Sequence, residues 1–578
     1  MKKLKSIISF FVVVAFTAGC TKDFLERAPL DTISEPEFWK TANDLQLYVN
    51  NLYLNSWKNQ YEMDDGSDNA ISTNGASTWL NGLTQPTVDA IGSYYTNIRN
   101  VNIMIANMDK VTEADGNQYK GEAYFIRARH YFDVLRLVGD AQLVKEPLNS
   151  TDERLYVLRT RRDSVADFIL SDLDKAIGLL KTKAQLRTSN EYQRINKDAA
   201  LAFKARIALF EGTWEKYHNG TPFGVPGGDH ARFLRIAADA AKVLMDTYGY
   251  TLDDDFQKVH NDHTIAGVQI PVKEVIFARQ FSNVKFGGGG REIFGNPDIN
   301  QWPHKVGYTR SAIMSFLCTD GLPISVSPLY QGDQSLANIG KNRDPRLDMS
   351  VFTPGEVYRI SALGDTTRFA NPFTTVDAAG QYQPTGYTSQ KFYTYDLEIP
   401  TSNPKTWDMI TVFFRYGEVL LNYAEAKAEL GEFDQAVADI TINKLRGRAT
   451  VNMPPMMVNA IVTDPQWPDH GYPLSPQIQE IRRERRVELL GEDFRFDDIR
   501  RWAAAKLITG KNFQGAYFEP IMNNGSGRTI TKDADNYFQP FKNQLPDGYQ
   551  FDPGKNYLMP FPMNEMIMNP ALGKNPGW

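Results

Sequence analysis

The chain has 578 residues, 42% of them hydrophobic and 23% charged. That is the balance of a folded protein with a sizeable core, not of a disordered or membrane-filling chain. Lys and Arg number 63 against 69 Asp and Glu, a net charge of -6, which argues against a general nucleic-acid binder because that function needs a basic face. Phe, Trp and Tyr make up 12% of the residues, more than a core alone obviously requires.

At the N-terminus, Lys2, Lys3 and Lys5 precede an apolar run over 7–18. The run is too short to span a bilayer, which takes about 20 residues, and charge followed by a short apolar stretch is the order of a secretory signal. It ends Thr17-Ala18-Gly19-Cys20, which resembles the bacterial lipobox, although Thr17 stands where Leu is usual. On this reading residues 1–19 are a signal peptide, Cys20 is lipidated, and loss of three lysines and no acid takes the charge from -6 to -9. No other stretch approaches 18 consecutive apolar residues, so lipid is the expected membrane attachment. Cys318 is then left without a partner and reads as a small buried hydrophobe.

Along the mature chain, apolar spacing predicts a series of helices. Residues 43–57 form the first. Over 122–138, Tyr124, Ala128, Tyr131 and Leu135 fall on one helical face. The segment 195–212 repeats the pattern with Phe203, Ile207 and Phe210, continuing to Trp214. So does 418–431, through Val419, Tyr423, Ala426 and Leu430, with Gly431 placed as its cap. A second amphipathic helix is expected after each of these three, over 163–180, 232–245 and from 434 onward. The turn at 430–436 is close to that of a tetratricopeptide repeat. Because the repeats are not tandem, the expected architecture is a helical-repeat scaffold with large insertions. The main insertions are 64–86, 218–229, 283–308, 355–404 and most of 453–473, rich in Gly, Pro, Asn and aromatics. Strands are expected to be few and short, as at 274–280. Loops of such length are usually functional.

Catalytic motifs are scarce. There is no H-E-x-x-H, G-x-S-x-G or Walker loop. His260 and His263 lack a third ligand at recognisable spacing and read as a solvated loop pair. Gly287 to Gly290 is not a dinucleotide turn, and 64–68 lacks the alternation of a calcium loop. The run Arg482-Arg483-Glu484-Arg485-Arg486 is balanced by Glu480, Glu488 and Glu492. Pairs at i, i+3 (480/483 and 485/488) make it a structural ion network rather than a polyanion site.

Several segments together resemble the SusD/RagB family of Gram-negative surface lipoproteins. They are the start at 20–26 with 34–53, GEAYFIRARHYFDVLRLVGD (121–140), IQEIRRERRVELLGEDFRFDDIRRW (478–502), and the terminal 557–578. The resemblance implies a mainly α, SusD-like fold with four tetratricopeptide-like helix pairs and long loop-rich insertions. It divides the chain into a signal peptide (1–19), an N-terminal region with helical repeats (20–230) and a C-terminal region with ligand loops and the last repeat (231–578). It implies a protein of the outer membrane facing the cell exterior. There it captures a nutrient, usually a glycan, and passes it to a SusC-like TonB-dependent transporter that it covers as a lid. It implies no cofactor, no metal and no enzymatic activity. Peptide binding on the same fold and a lipid-anchored glycosidase are the alternatives; a scaffold without ligand is a third.

A sugar offers C–H faces to aromatic rings and hydroxyls to polar side chains. Trp79 lies in the polar setting of 74–79; Trp302 and Tyr308 follow the glycine run. Both loops are where the family tends to place ligand contacts. These three rings are the candidate platform, with Asp68, Asn69 and Asn81 as candidate polar contacts. For each ring, packing within the loop and contact with a ligand remain equally open.

Overall fold

A computed structural model describes residues 38–54, 56–57, 63–72, 75–87, 89–189, 191–261, 273–281, 306–360, 365–372, 384–393, 409–523 and 530–578. Cys20, His263, Gly287 to Gly290 and Trp302 lie outside these residues.

Helix α1 (Ala42–Tyr53) begins at Thr41, whose hydroxyl accepts from the Asp44 N–H while the Thr41 N–H donates to the Asp44 carboxylate at 2.8 Å. This reciprocal box satisfies donors that no helical carbonyl reaches. Next come α2 (Gly92–Asn107), α3 (Gly116–Val138), α4 (Arg162–Leu179), α5 (Lys183–Thr188), α6 (Lys197–Tyr217) and α7 (His230–Thr247). The expected stripes are buried: Ala128, Tyr131 and Leu135 on α3, and Phe203, Ile207, Phe210 and Trp214 on α6. The pairs α3/α4 and α6/α7 pack side by side, with α4 against α6. A Cβ on Gly212 would stand 2.9 Å from Leu234 Cγ and 3.0 Å from the Leu234 nitrogen, so the α6/α7 crossing is closer than a side chain there permits. The boundary between 230 and 231 falls after the first residue of α7, and α6 and α7 both contribute to one core.

Among the described residues strands are few and form three antiparallel ribbons. They are β1 (Ala70–Ser72), β2 (Val275–Phe281), β3 (Val306–Tyr308), β4 (Val357–Ile360), β5 (Thr366–Arg368) and β6 (Met409–Arg415), paired β1–β3, β2–β6 and β4–β5. In the second ribbon Phe281 faces Met409 and Val275 faces Arg415. The long insertion therefore leaves and returns at one end of that ribbon. From Arg415 the chain runs directly into α8 (Tyr416–Glu429), which packs on α7 although residues 248–415 lie between them. Repeats separated in sequence are thus adjacent in space. Gly431, at φ +74°, ends α8 as expected: its N–H donates to the Ala428 carbonyl, and that of Glu432 to Lys427.

The helix expected from 434 onward is split at Thr441 into α9 (Gln435–Ile440) and α10 (Ile442–Arg446). Then come α11 (Pro476–Glu488), with its Ser475 cap and a Pro in the first turn, and α12 (Arg495–Arg501). A large core spans the helical stack; a second gathers insertion residues such as Tyr308, Phe316, Phe352 and Phe392. They meet at α11, where Ile481 enters the first core and Val487 the second. Cys318 is buried and unpaired, as its apolar surroundings suggested. Among the described residues no helix is long and apolar enough to cross a membrane.

Residues 482–486 are all buried, and each charge in the run has a partner. Arg346 bridges Glu484 at 2.6 Å and Glu488 at 3.0 Å, and Arg446 meets Glu484 at 2.9 Å. Arg415 reaches Glu488 at 2.8 Å, Glu492 at 2.8 Å and Glu274 at 3.0 Å; Arg448 closes the cluster on Glu274 and Glu488. Arg501 forks onto Glu425, with Arg485 on Asp498 at 2.8 Å. The i, i+3 pair Glu480–Arg483 forms at 3.1 Å. The expected Arg485–Glu488 pair does not, because Arg346, Arg415 and Arg448 from other elements surround Glu488.

Arg415→Met would leave Glu274, Glu488 and Glu492 buried with a cation removed. A loss of about 3–5 kcal/mol is expected, measured by denaturant unfolding at neutral pH; a loss under about 1 kcal/mol would overturn this account of the lattice.

Glu215 on α6 is the opposite case. It is buried, and neither carboxyl oxygen is hydrogen-bonded among the described residues. Burial, then Glu211 and Asp163, push its carboxyl up to about 7 against the pull of Arg162 and Arg232. Between about 4.5 and 7 the folded state keeps a proton that the unfolded chain has lost, so stability falls as pH rises through that window. Glu215→Gln should flatten this slope and stabilise the protein at pH 8 by on the order of 2–3 kcal/mol. A slope unchanged by the substitution would show that Glu215 does not titrate in this way.

Candidate ligand-binding site

Ribbon β1–β3 sets Ala70 opposite Tyr308, Ile71 opposite Gly307 and Ser72 opposite Val306. The chain leaving β1 toward Trp79 and the chain arriving at β3 from Trp302 therefore meet the ribbon at the same end. Trp79 follows Ser72 by seven residues, and Trp302 precedes Val306 by four.

The base of this ribbon is held by charge. Asp68 is buried between Arg495, at 2.6 and 2.8 Å, and Arg486, at 3.1 Å. Burial alone would raise its carboxyl, but the two guanidinium groups outweigh that and hold it at about 2. The Asn69 amide donates to the Asp64 carboxylate at 2.9 Å, and its oxygen accepts from Arg486 Nε at 2.7 Å. Thr309 ties the strands together: its N–H donates to the Asn69 carbonyl at 2.8 Å and its hydroxyl to that of Asp68 at 2.5 Å. The Tyr308 ring is wholly buried in the second core, its hydroxyl 3.2 Å from Ser389 Oγ. Asp68, Asn69 and Tyr308 are thus brought together, but beneath the surface. There they hold the ribbon from which the loops spring.

Trp79 and Asn81 lie above, on the surface loop 75–84. Asn81 folds the loop itself, accepting from the Leu83 N–H at 3.0 Å and donating to the Ala76 carbonyl at 3.3 Å. Trp79 is half-buried. Its indole N–H donates to the Asn556 carbonyl at 2.6 Å, its ring meets Phe496 edge-on at 5.1 Å, and the Arg500 guanidinium lies 4.9 Å from its centroid. The Gln550 N–H donates to the Leu80 carbonyl at 2.7 Å. The loop is therefore pinned by α12 and by residues 550–556, contacts several hundred residues away that carry no local signal. The ring, part-exposed and held in a preset orientation, is flanked by exposed Ser77 and Thr78. Such a surface can stack against an apolar face while hydroxyls bond beside it.

A cavity of about 150 Å³ opens among α3, α6, β6, α8 and α12, walled by Trp57, Phe203, Phe413 and Phe494 and by Arg129, Arg206 and Arg485. Those arginines already pair with Asp133, Glu418 and Asp498, so the cavity belongs to the ion lattice. Of the two histidines weighed as a metal pair, His260 is buried 3.4 Å from the Glu492 carboxylate, a lattice position and not a solvated one. Among the described residues no three His, Cys, Asp or Glu side chains converge as metal ligands.

Comparison with known proteins places this architecture. The sequence profile of the SusD family matches residues 273–578, more than half of the chain, and a second profile, described as starch-binding associating with outer membrane, matches 23–209. SusD-like protein P2 of Formosa agariphila is 23% identical over the full length of both chains. A SusD-like carbohydrate binding protein from Bacteroides fragilis superposes with a TM-score of 0.70 at 22% identity, covering 93% of this chain and all of its own. A laminarin binding SusD-like protein superposes with a TM-score of 0.54 at 18% identity, covering 93% and 99%. By fold and by sequence, the chain belongs to the SusD family.

Proposed function

We propose that this protein is a lipid-anchored glycan-binding protein on the outer face of the outer membrane. It captures an oligosaccharide or polysaccharide without cleaving it and passes it to a SusC-like TonB-dependent transporter. The observation that carries this reading is the pair of profile matches across 23–209 and 273–578, one of them described as starch-binding and outer-membrane-associating. The signal sequence ending at Cys20 supports export and anchoring. Relatives whose names specify carbohydrate or laminarin support a glycan over a peptide as the ligand. Within this reading Trp79 and Trp302 form the platform, on loops that meet one end of ribbon β1–β3, and Asn81 shapes the first loop.

Two outcomes test it. Cys20→Ala should remain unprocessed or be released from the outer membrane; unchanged fractionation and protease accessibility in that variant would remove the anchor.

Glycan-array screening followed by titration should find a polysaccharide ligand that Trp79→Ala binds at least tenfold more weakly, as truncation of a central anchor worth about 2 kcal/mol would give. Because Trp79 also packs on Phe496, the same change should destabilise the fold by about 2 kcal/mol, below the 3–5 typical of a fully buried ring. Trp79→Phe should recover most of that stability. Normal binding by Trp79→Ala at a temperature where it is folded would place the platform elsewhere. Binding to peptide panels alone would replace the glycan reading.

A further inference from the structure

Seven non-glycine residues among the described ones hold a left-handed backbone. Five are Asn or Asp, whose short polar side chains tolerate that conformation. The other two are Met63 (φ +54°) and Ala503 (φ +50°). Met63 is anchored by its own side chain, buried in the second core. Ala503 has only a methyl group, and it stands just past α12, where a helix often ends on glycine. Its N–H donates to the Arg500 carbonyl at 3.1 Å, and the Ala504 N–H to that of Ile499 at 2.9 Å. For an alanine the left-handed conformation costs roughly tenfold in population. Strain of this kind persists only where the surroundings impose it, and it gathers at ligand clamps.

We propose that Ala503 is the strained hinge of a clamp on Trp79, and so a positioning residue for the platform; the proposal rests on the reading of Trp79 given above. The two jaws lie on either side of Ala503 in sequence. Before it, α12 sets Phe496 and Arg500 against the indole ring, at 5.1 and 4.9 Å. After it, the Ala505 N–H donates to the Tyr557 hydroxyl at 3.1 Å, and the adjacent Asn556 carbonyl accepts the indole N–H. The Gly510 N–H donates to the Tyr549 carbonyl at 2.8 Å, and the Tyr549 N–H to that of Lys511 at 3.0 Å. Residues 504–511 and 549–557 therefore meet the Trp79 loop as one block, which also holds Leu80 through the Gln550 N–H. The helical jaw is fixed to the lattice. Arg501 and the Trp502 indole both donate to Glu425, and His218 Nε2 donates to the Arg500 carbonyl at 2.8 Å. Relaxation of Ala503 toward negative φ thus displaces the second jaw and takes with it the acceptor that orients the indole. With the clamp closed, Trp79 is held ready; with it open, the fraction of molecules competent to bind falls. An alanine at the hinge keeps the open state populated, whereas a glycine favours the closed one.

Hydrogen–deuterium exchange of the full-length protein without ligand tests this on the amides of 75–84, a segment more than four hundred residues from the hinge. Ala503→Gly relieves the strain at an unchanged φ and should slow exchange across 75–84 by about fivefold or more. Ala503→Val, whose branched side chain suits a left-handed backbone worse, should speed it. Asn342→Gly, at a left-handed position (φ +56°) outside the clamp, should leave it unchanged. Wild-type exchange of 75–84 in both Ala503 variants would mean that the strain is only structural, and overturns the inference. Equal slowing by Ala503→Gly and Asn342→Gly also overturns it, because general stabilisation then accounts for the change. The measurement needs no glycan, so its failure leaves the proposed function standing. Normal glycan binding by Trp79→Ala would instead overturn the platform, and with it the role of the hinge in binding.

Discussion

The structure depends on placing eight or more arginines in its interior. An unpaired guanidinium or carboxylate moved out of water costs several kcal/mol, and the pair recovers this only with near-ideal geometry and further hydrogen bonds. Here the requirement is met by sharing. Glu488 is held by Arg346, Arg415 and Arg448, and Arg415 in turn holds Glu274 and Glu492. Burial would raise the Glu488 carboxyl, but those arginines drive it far below the usual carboxylate range. No member can shift without exposing a neighbour. The lattice therefore fixes the relative positions of α8, α11, β6 and residues near 346 and 448, elements otherwise widely separated in sequence.

This rigidity is passed to the surface. Helix α11 lies between the two cores, and from it Arg486 reaches Asp68 and Asn69 beside β1. Arg495 and Arg500 on α12 extend the same support to Asp68 and to the Trp79 ring. A binding surface carried on loops loses precision unless their bases are held. Here the base of the Trp79 loop is tied to the buried ion lattice, which also limits the ordering entropy left for a ligand to impose.

The helices were legible because burial writes a period of 3.6 into sequence: Tyr131, Leu135, Phe203 and Phe210 appear on the faces their spacing assigns. The balanced charges of 480–492 were legible as a network, but their partners were not, since Arg346, Arg415 and Arg448 come from segments with no local relation to α11. Tyr308 and Asp68 show the limit most clearly. A tyrosine after a glycine-rich stretch and an aspartate in a polar run look like surface groups. Only the β1–β3 register and two distant arginines place them inside. Trp79 was legible as unusual, but its packing was not, because its neighbours Phe496, Arg500 and Asn556 are more than four hundred residues away.

For the proposed function, the energetics of the platform and of the tether bear on one another. A half-buried indole has limited ring surface to offer, and aromatic stacking is worth about 0.5–1.5 kcal/mol beyond the area covered. A few such contacts give a complex that dissociates readily, since every 1.4 kcal/mol is only tenfold in affinity. Weak binding in open water would lose a sugar before it could be transported. Confinement changes this. If the protein is held at the membrane and seated on its partner, a released ligand meets a second surface at a high effective concentration, and modest affinities combine without new contacts. A tighter platform would slow handover, because the ligand must leave it. Readily reversible binding beside a covering partner is therefore the arrangement that suits capture followed by transfer.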